Sequence, residues 1–144
     1  MSIYKYNLVK NEGEKVNRPG YINVEPTDWS LDFCDPATTN EIDASKVLEY
    51  IDTNEVDNYL AEWTDKLVAG GSLILGSVDV LSLCQSVTTG QIDDKMFNIL
   101  AHGDNKKINY SWKRLEEALT ARGMDIDSIR YLNQHEYQIK AVKK

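Results

Sequence analysis

The stretch from Thr53 to Val78 constrains the fold most. Val56, Tyr59, Leu60, Trp63 and Leu67 recur at the 3.6-residue period of an amphipathic helix, with Thr53 placed to cap its start and Gly70-Gly71 to end it. Directly after the glycine pair comes Ser72-Leu73-Ile74-Leu75-Gly76-Ser77-Val78, a near-continuous apolar run of the kind carried by a strand covered on both faces. A helix feeding straight into a buried strand is the repeating unit of a parallel sheet. Neighbouring strands must come from elsewhere, and the amino-terminal part offers two: Ile3 to Val9 and Tyr21 to Val24, both rich in aromatic and branched residues.

The remaining segments fill in around this unit. Asp28 to Phe33 alternates weakly and reads as a short edge strand, followed by the turn-rich Asp35 to Asn40. Glu41 to Ser45 then leads into Lys46 to Ile51, a pattern suiting a strand end and a short helical turn. Two short helices are predicted around Val80 to Val87 and Asp93 to Ala101, broken by Thr88-Thr89-Gly90. Ser111 can cap a last helix that turns Trp112, Leu115, Ala118 and Leu119 inward and is closed by Gly123. Ile126 to Leu132 and Tyr137 to Val142 read as a closing hairpin. No repeat or low-complexity segment interrupts the chain, so one domain over 1–144 is expected, with 79–110 as a helical insertion able to act as a lid.

At 144 residues, with 42% hydrophobic and 27% charged residues, the chain can bury a core without help from disulfides or metals. A net charge of −7 with dispersed lysines and arginines would repel a phosphate backbone, which argues against nucleic acid as a partner. Cys34 and Cys84 lie far apart in sequence; they could form one disulfide, but two thiols in a reducing cytosol is the simpler reading. The start Met-Ser-Ile-Tyr-Lys lacks a signal peptide's apolar core, and no apolar run approaches the ~20 residues that span a bilayer. The expectation is a soluble cytoplasmic protein without a membrane partner. No HExxH, calcium loop or cysteine cluster is present, so no metal is expected.

Chemistry is concentrated where the second strand stops. Arg18-Pro19-Gly20-Tyr21-Ile22-Asn23-Val24-Glu25 is a proline-glycine turn, a short strand and then a carboxylate. In an open α/β sheet ligands bind beyond the carboxyl ends of the strands, and an acid there can accept hydrogen bonds from a ribose hydroxyl pair. Glu25 is therefore the first candidate ligand-binding residue.

Taken in order, five pieces resemble class I S-adenosylmethionine-dependent methyltransferases. They are Pro19-Gly20-Tyr21-Ile22-Asn23-Val24-Glu25; Leu31-Asp32-Phe33; Ala44-Ser45-Lys46-Val47-Leu48-Glu49-Tyr50; Glu62-Trp63 through Gly70-Gly71-Ser72-Leu73; and a helix closed by Gly123 before a final hairpin. The resemblance covers nearly the whole chain. It implies a Rossmann-like methyltransferase fold of the α/β class, with a mostly parallel sheet flanked by helices and a C-terminal antiparallel hairpin. S-adenosylmethionine is the cofactor it implies, and a small molecule the substrate. Glu25 would hold the ribose hydroxyls, Asp32 and the backbone at Phe33 would face the adenine, and Ala44, Ser45 and Lys46 would lie beside the methionine part. Val9, Asn11 and Gly13 would form the loop after the first strand.

Three departures from the family pattern matter chemically. Val9-Lys10-Asn11 stands where the family carries Gly-Cys-Gly, leaving Gly13 as the loop's glycine, although glycine serves there to let the backbone approach the ligand. Lys46 replaces a histidine, and its charge beside a sulfonium calls for compensation by Glu49, Glu25 or a substrate carboxylate. Tyr50 replaces a second histidine, which removes another neutral-pH proton acceptor. Two readings stay open: a methyltransferase acting on a small molecule, or a methyltransferase-like module that has lost the cofactor and serves in binding or assembly. A nicotinamide-dependent reductase would need GxGxxG opening a long helix, which Val9 to Tyr21 does not supply. His102 and His135 are the only imidazoles, His102 within the lid segment and His135 at a hairpin tip expected to lie far from the strand ends. A homo-oligomer is compatible with an apolar edge strand, but no pattern selects it.

Overall fold

The computed structural model describes residues 4–8, 20–24, 29–103 and 110–144. Six strands form one sheet: β1 (Tyr4–Leu8), β2 (Tyr21–Val24), β3 (Thr39–Ala44), β4 (Leu67–Val78), β5 (Met124–Tyr131) and β6 (Glu136–Lys143). Their order is β2-β1-β3-β4-β6-β5, the first four parallel and β6 antiparallel to both its neighbours. The chain therefore turns back after β2 and places β3 on the opposite flank of β1. That reversal is a topological switch point.

Register and alternation sort the side chains onto two faces. Tyr6 stands beside Ile42, Ile42 beside Leu73 and Leu73 beside Ala141; one step on, Ala44, Leu75 and Ile139 line up. All seven are buried in one cluster with Val56, Leu60 and Trp63 of α1 (Thr53–Lys66) and Leu115 and Leu119 of α4 (Trp112–Ala121). Burying each large side chain of this set stabilises the fold by about 1.5–3 kcal/mol. On the opposite face runs a polar row, Asn23-Asn7-Asp43, continued through Ile74, Lys140 and Ser128, in which Asn7 donates to Asn23 Oδ1 at 3.0 Å.

The predicted amphipathic helix is α1, and the short helices are α2 (Val80–Thr88) and α3 (Asp94–His102). α2 and α3 bury a smaller cluster of Val78, Leu83 and Ala101, against which Ile92, Phe97 and Leu100 pack. Ser111 caps α4 by accepting from the Arg114 amide at 3.4 Å, and Gly123 follows it in the left-handed region at φ +80°.

Three boundaries differ from the sequence expectation. Leu67, expected at the end of α1, is the first residue of β4, which pairs with Thr39, loops out over Val68 to Gly71 and rejoins β3 with Ser72 opposite Glu41. Gly70 takes φ +82° in this excursion, so the glycines serve a bulge and not a helix cap. β3 starts at Thr39, inside the stretch read as a turn, while the short helical turn expected in Lys46 to Ile51 is the 3-10 turn Leu48–Tyr50. The described part of the expected edge strand at Asp28 to Phe33 is a turn, because the Glu62 carboxylate of α1 accepts from the Leu31 amide and the Ser30 hydroxyl. A side chain takes the donor that a ladder would have used.

Both cysteines are free thiols, Cys34 buried and Cys84 exposed. Among the described residues no helix is long and apolar enough to cross a membrane. Nor does any group of three or more His, Cys, Asp and Glu side chains there suit a metal.

Candidate functional site

The carboxyl end of β3 is locked by its own last residues. Asp43 Oδ1 accepts from the Ser45 amide at 3.1 Å and from the Ser45 hydroxyl at 2.6 Å, a local turn that aims Ser45 and Lys46 away from the strand. Val47 and Leu48 then drop into the core, so the following 3-10 turn carries Glu49 and Tyr50 at the same edge of the sheet.

β4 ends beside this turn. Gly76 lies so close to it that a Cβ would sit 2.9 Å from the Ser45 carbonyl oxygen and 3.2 Å from that of Tyr137. Only glycine permits that approach. The Glu49 carboxylate accepts from the Val78 amide at 3.1 Å and from the Ser77 hydroxyl at 3.3 Å, tying the 3-10 turn to the strand end.

β6 supplies the third wall because it begins where β4 stops, Glu136 standing opposite Val78 and Tyr137 opposite Ser77. Tyr137 donates to the Tyr110 carbonyl at 2.6 Å, and the Tyr110 amide donates to Ser77 Oγ at 2.9 Å. Burial pushes the Tyr137 phenol far above its ordinary range, with the charge of Asp79 adding to the effect. Asp79 itself is buried; it accepts from the Leu81 amide as the cap of α2 and from the Tyr131 hydroxyl at 2.8 Å.

Together Ser45, Lys46, Glu49, Tyr50, Gly76 and Glu136 line a cavity of about 270 Å³, which Tyr137 and Leu132 also border. It opens at the carboxyl edge of β3 and β4, one strand away from the β1/β3 switch point. The size lies just below the range of small-molecule sites, roughly 300 to 1,000 Å³.

The residues singled out from sequence divide into three groups. Ala44, Ser45 and Lys46 come together at the end of β3, with Ser45 and Lys46 lining the cavity and Ala44 fully buried beneath it. Asp32 and Phe33 do not line it; they sit exposed on the turn beside β1, with the Phe33 ring edge-on to Tyr6 at 5.7 Å. Val9, Asn11, Gly13 and Glu25 lie outside the described residues. His102 is exposed on the last turn of α3.

His135 corrects its expectation. It is buried, its carbonyl accepts from the Asp79 amide at 2.6 Å, and its Nε2 lies 2.8 Å from Ser86 Oγ of α2. The hairpin tip is thus docked at the end of β4, because β6 runs back against β4 and brings the tip with it. Gly76, Ser77, Glu136 and Tyr137 were not recognised as site residues. For Gly76 a signal existed, since a glycine inside an apolar strand run marks a close approach. The other three depend on the β4–β6 register, which no local pattern encodes.

No protein-family model and no curated protein matches the sequence. Solved structures do match in three dimensions. A putative S-adenosylmethionine-dependent methyltransferase from Listeria monocytogenes aligns with a TM-score of 0.63 at 14% identity, over 98% of this chain and 80% of that one. The 1,6-didemethyltoxoflavin-N1-methyltransferase of Burkholderia thailandensis, solved with 1,6-didemethyltoxoflavin and S-adenosylhomocysteine bound, gives 0.65 at 11% identity over 99% and 72%. An O-methyltransferase family 2 protein from Planctomyces limnophilus in complex with apigenin gives 0.58 at 16% identity. The chain covers 36% of that protein's length while 87% of it is aligned.

Sheet order and flanking helices make this a Rossmann-like α/β fold. More narrowly, it is the class I S-adenosylmethionine-dependent methyltransferase-like fold.

Proposed function

We propose that the chain is an S-adenosylmethionine-dependent methyltransferase acting on a small molecule, with the acceptor in the cavity between the ends of β3, β4 and β6. The observation that carries this reading is the position of that cavity, one strand from the switch point where an open α/β sheet takes its ligand. The fold neighbours, two of them with small molecules bound, support it.

The end of β3 suits such a cofactor in one testable respect. Among the described residues Asp43, Glu49 and Glu136 bring carboxylates to this edge against the cation of Lys46, a balance favourable to a sulfonium. In the proposal Glu25 holds the ribose hydroxyls, Val9, Asn11 and Gly13 border the same ligand, and Ser45 and Lys46 with the backbone of Ala44 lie beside its methionine part. In the same proposal Asp32 and the backbone at Phe33, both on an exposed turn, face the adenine. When bound, the cofactor supplies an electrophilic methyl group. Transfer of that group needs in-line placement of the acceptor more than a dedicated acid, and fixed walls provide placement. Gly76 gives the floor no side chain, Ser77 and Glu49 hold one wall and Tyr137 the other. The 79–110 segment, whose α2 begins after Asp79 at the end of β4, acts in the proposal as the lid.

A second reading, a module that has lost the cofactor and works in binding or assembly, is favoured by Val9-Lys10-Asn11 in place of glycines. Isothermal titration with S-adenosylmethionine and S-adenosylhomocysteine, repeated on Glu25→Ala, separates the two. Micromolar binding that disappears in the variant is the expected result. Absence of heat with both ligands from folded protein leaves the module.

A further inference from the structure

Of the polar side chains lining the cavity, those of Ser45, Glu49 and Tyr137 are tied to neighbours, and two, Lys46 and Glu136, make no hydrogen bond or ion pair among the described residues. The Ser45 hydroxyl is held by Asp43, the Glu49 carboxylate by Ser77 and the Val78 amide, and the Tyr137 hydroxyl by the Tyr110 carbonyl. Lys46 and Glu136 remain. Neither side chain lies within ion-pair distance of an opposite charge among the described residues, and they do not pair with each other although both line one cavity.

Their placement explains this. Lys46 stands on the turn after β3 and Glu136 at the start of β6, with β4 between them, so the strand spacing separates their backbones by roughly 10 Å. In a half-enclosed site, opposite charges free to approach would attract each other strongly. The β4 strand end, fixed through Glu49 and Tyr110, holds the two charges apart. Glu49 makes no ion pair with Lys46; its Oε2 accepts from the Ser77 hydroxyl and the Val78 amide at the strand end.

Resting on the acceptor-pocket reading above, we infer that the cavity binds a small zwitterion of the amino-acid type, its carboxylate on Lys46 and its ammonium on Glu136. An acceptor with only a carboxylate would leave Glu136 facing an anion. One with only an amine would set a second cation beside Lys46 and the sulfonium. A molecule carrying both groups a few bonds apart satisfies both walls by charge-assisted hydrogen bonds of about 2.8 Å. The volume of about 270 Å³ keeps it small.

The test uses the full chain without cofactor, its backbone amide signals followed by NMR. The twenty protein amino acids, β-alanine and γ-aminobutyrate are titrated in turn, with acetate and ethylamine as single-charge controls. At least one zwitterion is expected to saturate shifts at Ser45, Lys46, Ser77 and Glu136 with a Kd about tenfold or more below either control. Lys46→Met and Glu136→Gln should each weaken it by about tenfold while leaving the remaining spectrum folded. A control binding as tightly as every zwitterion overturns the inference, as do unchanged affinities in both variants or the absence of saturable shifts at these four residues. Separate titration with S-adenosylmethionine distinguishes the two failures. Cofactor binding without zwitterion binding sinks only this inference, and the converse sinks methyl transfer while the zwitterion site stands.

Discussion

α1 and α4 differ from α2 and α3 in what they bury. The first pair presses Trp63, Leu60, Leu115 and Leu119 onto the apolar face of the sheet, in a cluster that reaches every strand from β1 to β6. The second pair shares a cluster of three buried side chains and leaves Leu81, Met96 and Ile99 exposed. α2 begins at the end of β4, capped by Asp79 two residues beyond Ser77 of the cavity wall. The larger cluster is firm and the smaller lightly packed, and segments that open and close are drawn from the less stable parts of a fold.

Alkali should test the frame with the largest effect. Burial raises the phenols of Tyr6, Tyr110, Tyr131 and Tyr137 above their usual value, helped in Tyr6 by its bond to Cys34 and in Tyr131 by its bond to Asp79. An unfolded phenol ionises near pH 10, so the folded state binds more protons above that point. The stability these groups contribute is complete below about pH 10 and is lost as pH rises beyond it. Ultraviolet titration should find the buried Tyr6, Tyr110 and Tyr137, three of the eight tyrosines, silent until a cooperative unfolding step. Smooth ionisation of all eight near pH 10 would break the picture of a sealed frame.

Substitutions then grade the two regions. Trp63→Ala in the frame should cost about 4 kcal/mol in urea unfolding. Leu83→Ala, equally buried but in the small cluster, should cost about 2 kcal/mol, because fewer neighbours surround the void. Equal losses would remove the distinction. Smallest is Ser86→Ala, expected to cost about 1 kcal/mol by removing the bond to His135. Its signature is local, faster amide exchange from Asn133 to Glu136, and unchanged exchange there would show that Ser86 does not hold the tip.

Much of the frame was legible because local signals and tertiary packing agree. The apolar period from Val56 to Trp63, the run Leu73 to Val78 and the two strands after Gly123 each announce both their type and their buried side. Sequence failed where a distant side chain decides. Nothing near Leu31 reveals that Glu62 will take its amide, and nothing near Thr39 shows that β4 will pair there before bulging at Gly70. The site was half legible for the same reason. Ser45 and Lys46 follow a strand and could be placed, whereas Glu136 and Tyr137 reach the cavity through an antiparallel insertion that must be seen.

That insertion has a consequence for biosynthesis. A ribosome delivers residues 45 and 46 early and the strand facing them about ninety positions later, roughly 5–20 seconds of synthesis. Until β6 has emerged and wedged itself against β4, the nascent polypeptide exposes an unsealed strand margin and possesses no recess to fill. Binding in that recess is thus withheld until β6 has been made, and a chain cut before Glu136 would lack the recess while keeping the earliest strands.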